Sequence, residues 1–162
     1  MDKPPISLSY PMFVVEYAIV DHSVHFIDRK TLSVGGEWLG EVPALAISKD
    51  VSTGDFHLCH CDSEWKDLCA VQSASTIEEI KEQAERHYLG VGEKWTQTGY
   101  SQTDAEAIFD EMREEDKCSF CSESWWDWHL PGQDRKMIVS EHAKICSDCV
   151  MRFSKELSSS GD

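Results

Sequence analysis

The stretches Cys118-Ser119-Phe120-Cys121 and Cys146-Ser147-Asp148-Cys149 decide how the C-terminal part of this chain folds, because each is a CxxC pair and 24 residues separate them. Two thiolates at that spacing converge on one metal ion from a tight turn. The intervening length is enough for a hairpin that brings the second pair opposite the first. The spacing therefore predicts a tetrahedral site in which Cys118, Cys121, Cys146 and Cys149 bind one structural Zn2+. A closed set of four thiolates leaves no open coordination position, so it serves folding and offers nothing to catalysis.

The surroundings of the pairs suit this reading. Val150, Phe153 and Leu157 recur at helical spacing, which predicts a short amphipathic helix starting at the second pair. Its positive N-terminal end favours thiolates. Lys136-Met137-Ile138-Val139-Ser140 and the residues before Pro131-Gly132 suit a hairpin. A knuckle, a hairpin and a helix carrying the last ligands make a treble-clef arrangement. His129 and His142 are not needed as ligands beside four thiolates and read as ordinary surface or hairpin residues.

Lys117-Cys118-Ser119-Phe120-Cys121 and Ile145-Cys146-Ser147-Asp148-Cys149-Val150 resemble the ClpX-type four-cysteine zinc finger, the small N-terminal module of the ClpX unfoldase. In that family CSFC begins the module, and an aliphatic residue precedes a second CxxC that holds an acidic residue and is followed by Val. The resemblance covers about residues 116–157. It implies a zinc treble clef that dimerises and binds other proteins, with Cys118, Cys121, Cys146 and Cys149 matching the family's ligands. Ser122 stands where a glycine commonly follows the first pair, and the spacer is longer than is usual, room enough for Trp125-Trp126-Asp127-Trp128. No GxxxxGK[ST] loop occurs in these 162 residues.

Upstream, β-branched and aromatic runs bounded by turn residues predict strands at 13–20, 23–28, 44–47, 56–61 and 65–71. Thr76-Ile77-Glu78-Glu79 is a capping box opening a helix in which Ile77, Ile80, Ala84 and Tyr88 form one apolar face and Gly90 is the stop. Thr103-Asp104-Ala105-Glu106 is read as a second helix start, with Ala105, Ile108 or Phe109, and Met112 as a narrow stripe. The expected fold is α+β: an antiparallel sheet with a covering helix, followed by the zinc module. The expected division is an acidic domain at 1–100, an acidic linker helix at 101–116, the module at 117–157 and a flexible tail at 158–162. His57, Cys59 and Cys61 alternate along one strand, which suits a second metal site, but buried cysteine is commonly a small hydrophobe, and Cys69 is read the same way.

Charge is spread unevenly. Residues 1–116 hold 9 Lys+Arg against 23 Asp+Glu, whereas 117–157 hold six of each. An acidic field repels a phosphate backbone and attracts a basic protein, so no direct nucleic-acid binding is expected. Seven cysteines, an odd count with four of them in CxxC pairs, without a secretory start or a membrane-length apolar run, lead us to expect a cytoplasmic protein with no membrane association. HExxH, GxSxG and GxGxxG are missing, and the expectation is a non-enzymatic protein-interaction protein. The sharper expectation is a bacterial immunity or antitoxin-like inhibitor of a basic, nuclease-type toxin, with the module supporting folding or homodimerisation. Glu106, Asp110, Glu111 and Glu114 are the acidic candidates for the contact, and Trp125, Trp126 and Trp128 the aromatic anchors. The alternative is an adaptor or regulator of a protease or chaperone system that binds through the zinc finger.

Overall fold

The computed structural model describes residues 1–27, 33–34, 36–124 and 136–159, apart from the side chains of residues 70 and 71. Trp125, Trp126, Trp128 and His129 lie outside them. The chain divides into two compact units, Met1–Glu106 and Ala107–Asp162.

The first unit is built on strands β1 (Met12–Ile19), β2 (His25–Phe26), β3 (Ser33–Val34), β4 (Glu37–Trp38), β5 (Ala44–Asp50), β6 (Phe56–Cys61) and β7 (Asp67–Ala74), helix α1 (Ile77–His87), and strands β8 (Tyr88–Leu89) and β9 (Thr96–Gln97). Five of these strands form an antiparallel sheet in the order β7-β6-β5-β1-β9. The expected strand at 23–28 does not join it over the described residues: His25–Phe26 form a two-residue strand that pairs with β8 beside the end of α1, closed by an Ile27 N–H bond to His87 O.

The hydrophobic pattern places α1 as expected. Thr76 Oγ1 accepts from Glu79 N at 3.3 Å, closing the N-terminus, and Ile80, Ala84 and Tyr88 are fully buried against Ala18, Leu45, Ile47 and Leu58 of the sheet. Burying each large aliphatic side chain there contributes about 1.5–3 kcal/mol. The helix ends at His87, before Gly90. Gly90 has φ +92 in the turn that follows, and Glu85 holds that turn by accepting from the N–H groups of Gly90 and Gly92.

Val14, Ala44, Ala46, Cys59, Cys61 and Trp65 pack on the opposite face of the sheet. Trp65 stands edge-on to Tyr17 at 5.5 Å, and its indole N–H donates to Asp2 O, tying the N-terminal segment over this face. A bulge at Val15 lets Val14 face this cluster while Glu16 and Ala18 turn to the helix side. Among the described residues no helix is long and apolar enough to cross a membrane.

Helix α2 (Gln102–Glu115) runs from the first unit into the second. Its cap is two residues earlier than the sequence suggests. Ser101 Oγ accepts from Asp104 N, and Asp104 Oδ2 accepts from Ser101 N at 3.0 Å, a reciprocal pair that outcompetes Thr103 as the start. Ala105 and Phe109 are buried, Ile108 and Met112 half-buried.

Candidate metal centre

In the second unit the first CxxC pair forms a tight loop after α2, followed by strands β10 (Met137–Val139) and β11 (Lys144–Cys146) and by helix α3 (Ser147–Ser159). The described hairpin is formed by β10 and β11. Met137–Val139 pairs with Lys144–Cys146; the residues before Pro131, the expected partner, lie outside the described residues. The Ser140 hydroxyl shapes the turn by accepting from Ala143 N at 3.1 Å, and this register sets Cys146 opposite Met137. Helix α3 also continues to Ser159, into the segment expected as a tail.

Backbone bonds dock the loop onto the hairpin. Ser119 N donates to Lys144 O at 2.8 Å, and Lys144 N returns a bond to Ser119 Oγ. The Lys144 ammonium binds the Asp116 carboxylate at 2.7 Å, anchoring the end of α2 to the same strand. Ser122 takes φ +61, a left-handed conformation that lets the loop double back so that Cys118 N reaches Glu123 O at 2.9 Å.

The result brings all four predicted ligands together. Their sulfurs lie within 4.8 Å of one another, with Cys118 to Cys149 at 3.9 Å and Cys121 to Cys146 at 3.8 Å. Sulfurs placed about 2.3 Å from a central ion at tetrahedral angles stand about 3.8 Å apart, so the cage has the size of a zinc tetrathiolate. Cys118, Cys146 and Cys149 are buried, Cys121 half-buried. Met137, Ile145 and Phe153 pack around them.

Electrostatics give the same answer. Burial pushes the Cys118 thiol up, but N–H groups of Cys146, Phe120 and Cys121 directed at its sulfur bring the net shift below the usual thiol range. Burial and the three neighbouring sulfurs push Cys149 up. Four sulfurs this close ionise together only around a cation, which supplies the charge the cage lacks. The donor set and its dimensions therefore fit a metal ion. Among the described residues it is the single such group of His, Cys, Asp and Glu side chains.

The other candidates fall elsewhere. Cys59 and Cys61 are fully buried beside Val14 and Trp65, and burial raises both thiols, Cys59 to about 12. They behave as small apolar core residues, and Cys69 is buried in β7. His142 is exposed in the hairpin turn. Glu106, Asp110, Glu111 and Glu114 are all exposed on α2, where Asp110 pairs with Arg113, Glu114 with Lys117, and Glu106 accepts from Gln102.

Sequence reasoning passed over His60. Its side chain is fully buried on the helix side of the sheet, its ring centroid 5.9 Å from that of Tyr88, with Nδ1–H donating to Cys69 O at 3.3 Å. Alternation gives the only hint: His60 lies two residues after buried Leu58 on the same strand.

Comparison of the chain with family models, curated proteins and solved structures gave no match.

Proposed function

We propose that the four cysteines hold one structural Zn2+ in a ClpX-like treble-clef module, and that the chain is a non-enzymatic inhibitor of the bacterial immunity or antitoxin type. The order of loop, hairpin and helix around the sulfurs supports the treble clef, since the helix begins between the last two ligands. When bound, the ion would neutralise the thiolates and lock the loop, hairpin and helix together. The residues do the rest through the backbone bonds of Ser119, Lys144 and Cys146.

The observation that carries the inhibitor reading is charge: 23 acidic against 9 basic residues over positions 1–116. On α2 the acids at 106, 110, 111 and 114 are exposed on one helix. Such a surface steers association with a basic nuclease-type toxin and occupies the site where its phosphate substrate binds. The direct test is to assay the products of the genes flanking this protein's own for a cationic toxin and for its inhibition by this protein. Inhibition that weakens with salt, and again when Glu106, Asp110, Glu111 and Glu114 are changed to Lys, supports the reading. An unaffected toxin at saturating protein refutes it.

A second reading, an adaptor for a protease or chaperone system, is favoured by exposed apolar residues on the metal-centre unit. Phe120 is 54% and Leu157 78% exposed, and Phe120 packs edge-on against Phe153 at 5.1 Å. Exchange of Phe120 and Leu157 for Ser abolishes partner binding in this reading and spares it in the first.

A further inference from the structure

The metal cage is not equally closed on all sides. One side of it faces solvent between Cys121, Glu123, Cys146, Asp148, Cys149 and Arg152. Cys121 is half-buried, whereas the other three cysteines are 1–3% exposed. Cys146 and Cys149 line the same opening and Cys118 does not; the Cys146 sulfur lies 3.8 Å from that of Cys121, whereas the Cys149 sulfur is in contact with that of Cys118 at 3.9 Å. Cys121 is thus the ligand that a molecule as small as hydrogen peroxide reaches from outside.

We propose that Cys121 and Cys146 form a hydroperoxide-sensitive pair that converts the metal centre to a disulfide and releases its ion. This rests on the reading of the cage as a zinc site. In the first step the Cys121 sulfur attacks a peroxide oxygen. An S–O bond forms, the O–O bond breaks, and hydroxide leaves and takes a proton to become water. The Cys146 thiolate then attacks the Cys121 sulfur, forming the S–S bond and expelling the second hydroxide, which is also protonated. Two thiolates, one hydrogen peroxide and two protons give one disulfide and two waters, with two electrons passing from sulfur to oxygen. Only Cys118 and Cys149 then remain as ligands, too few to hold zinc. Their sulfurs, 3.9 Å apart, are placed to form a second disulfide with a second peroxide. A thiol reductant with added zinc reverses both steps.

The order of events follows from geometry. The first sulfur oxidised is the one an outside molecule reaches, and its resolving partner is Cys146, whose sulfur is in contact with it at 3.8 Å. The resulting bond joins the CxxC loop to the end of β11, so oxidation both removes the ion and staples the loop in place.

The test uses the full-length chain. Its metal content is measured first; hydrogen peroxide is then added, zinc release is followed with a chromogenic chelator, and disulfides are mapped over time by alkylation and peptide mass spectrometry. The expected result is release of one zinc per chain with Cys121–Cys146 as the first disulfide. A first disulfide within either CxxC pair, one involving Cys59, Cys61 or Cys69, or oxidation without zinc loss overturns it. The variant Cys121→His keeps a nitrogen ligand at the open position, and its zinc release is expected to slow at least tenfold; release at the parent rate overturns the proposal. Protein isolated without metal refutes the zinc reading instead, and the thiol map of that protein still decides the pairing.

Discussion

Glu16 in β1 and Lys81 in α1 meet at 2.8 Å, carboxylate to ammonium, at a point where Glu16 is only 7% exposed. The contact exists because the bulge at Val15 turns Glu16 from one face of the sheet to the other. If residues 14–18 ran as a regular strand with no bulge, Glu16, two residues on from Val14, would share its face and lie against Ala46 and Trp65, where a charge has no partner.

Removing one member of this pair is therefore costlier than removing both. Lys81→Met strands a buried carboxylate and is expected to cost about 3 kcal/mol, less whatever the partial exposure of Lys81 returns. The double variant Lys81→Met with Glu16→Gln is expected to recover most of the loss. Urea denaturation of the three proteins checks this.

His60 makes the first unit sensitive to acid. Burial lowers its pKa to about 4, opposed by its bond to Cys69 O and reinforced by nearby His87, whereas the unfolded side chain titrates at about 6.5. Between those values the unfolded chain binds a proton that the native state refuses. Stability is thus fully present above pH 6.5, falls as pH drops, and levels off below about 4, a loss of about 3 kcal/mol. His60→Leu is expected to remove this part of the slope when denaturation midpoints at about pH 7.5 and 4.5 are compared with those of the parent.

Ser122 holds φ +61 without being glycine. A side chain in that conformation costs about 1–2 kcal/mol, partly offset by the greater freedom glycine has when unfolded. Ser122→Gly is expected to raise the stability of the metal-bound module by about 0.5–1 kcal/mol, measured as an upward shift in its melting transition. Ser122→Val is expected to lower it.

Features under local physical control are readable from neighbouring residues. The Thr76 capping box, the apolar face of α1, strand β6 and the four clustered cysteines each follow from residues within one or two turns of each other, or from ligand spacing. What was hidden depends on partners distant in sequence. The bulge at Val15 appears only once β5 sets the register, His25 and Phe26 find β8 more than sixty residues away, and His60 is buried only because Tyr88 returns over it. At the start of α2, Ser101 and Thr103 both offer a hydroxyl, and the return bond from Asp104 decides between them. The apolar stripe of α3 was legible as a helix, but not that Leu157 would stay exposed.

The most direct test of the account is the metal content and ligand set of the purified chain. Zinc analysis is expected to give one ion per chain, and replacement by Co2+ to give the intense sulfur-to-metal absorption of a tetrahedral four-thiolate site. Cys118→Ser or a strong chelator is expected to unfold the second unit while α1 and the sheet persist, because metal binding there is folding energy. A chain that binds no metal, or one whose second unit keeps its structure unchanged after complete metal removal, would contradict it.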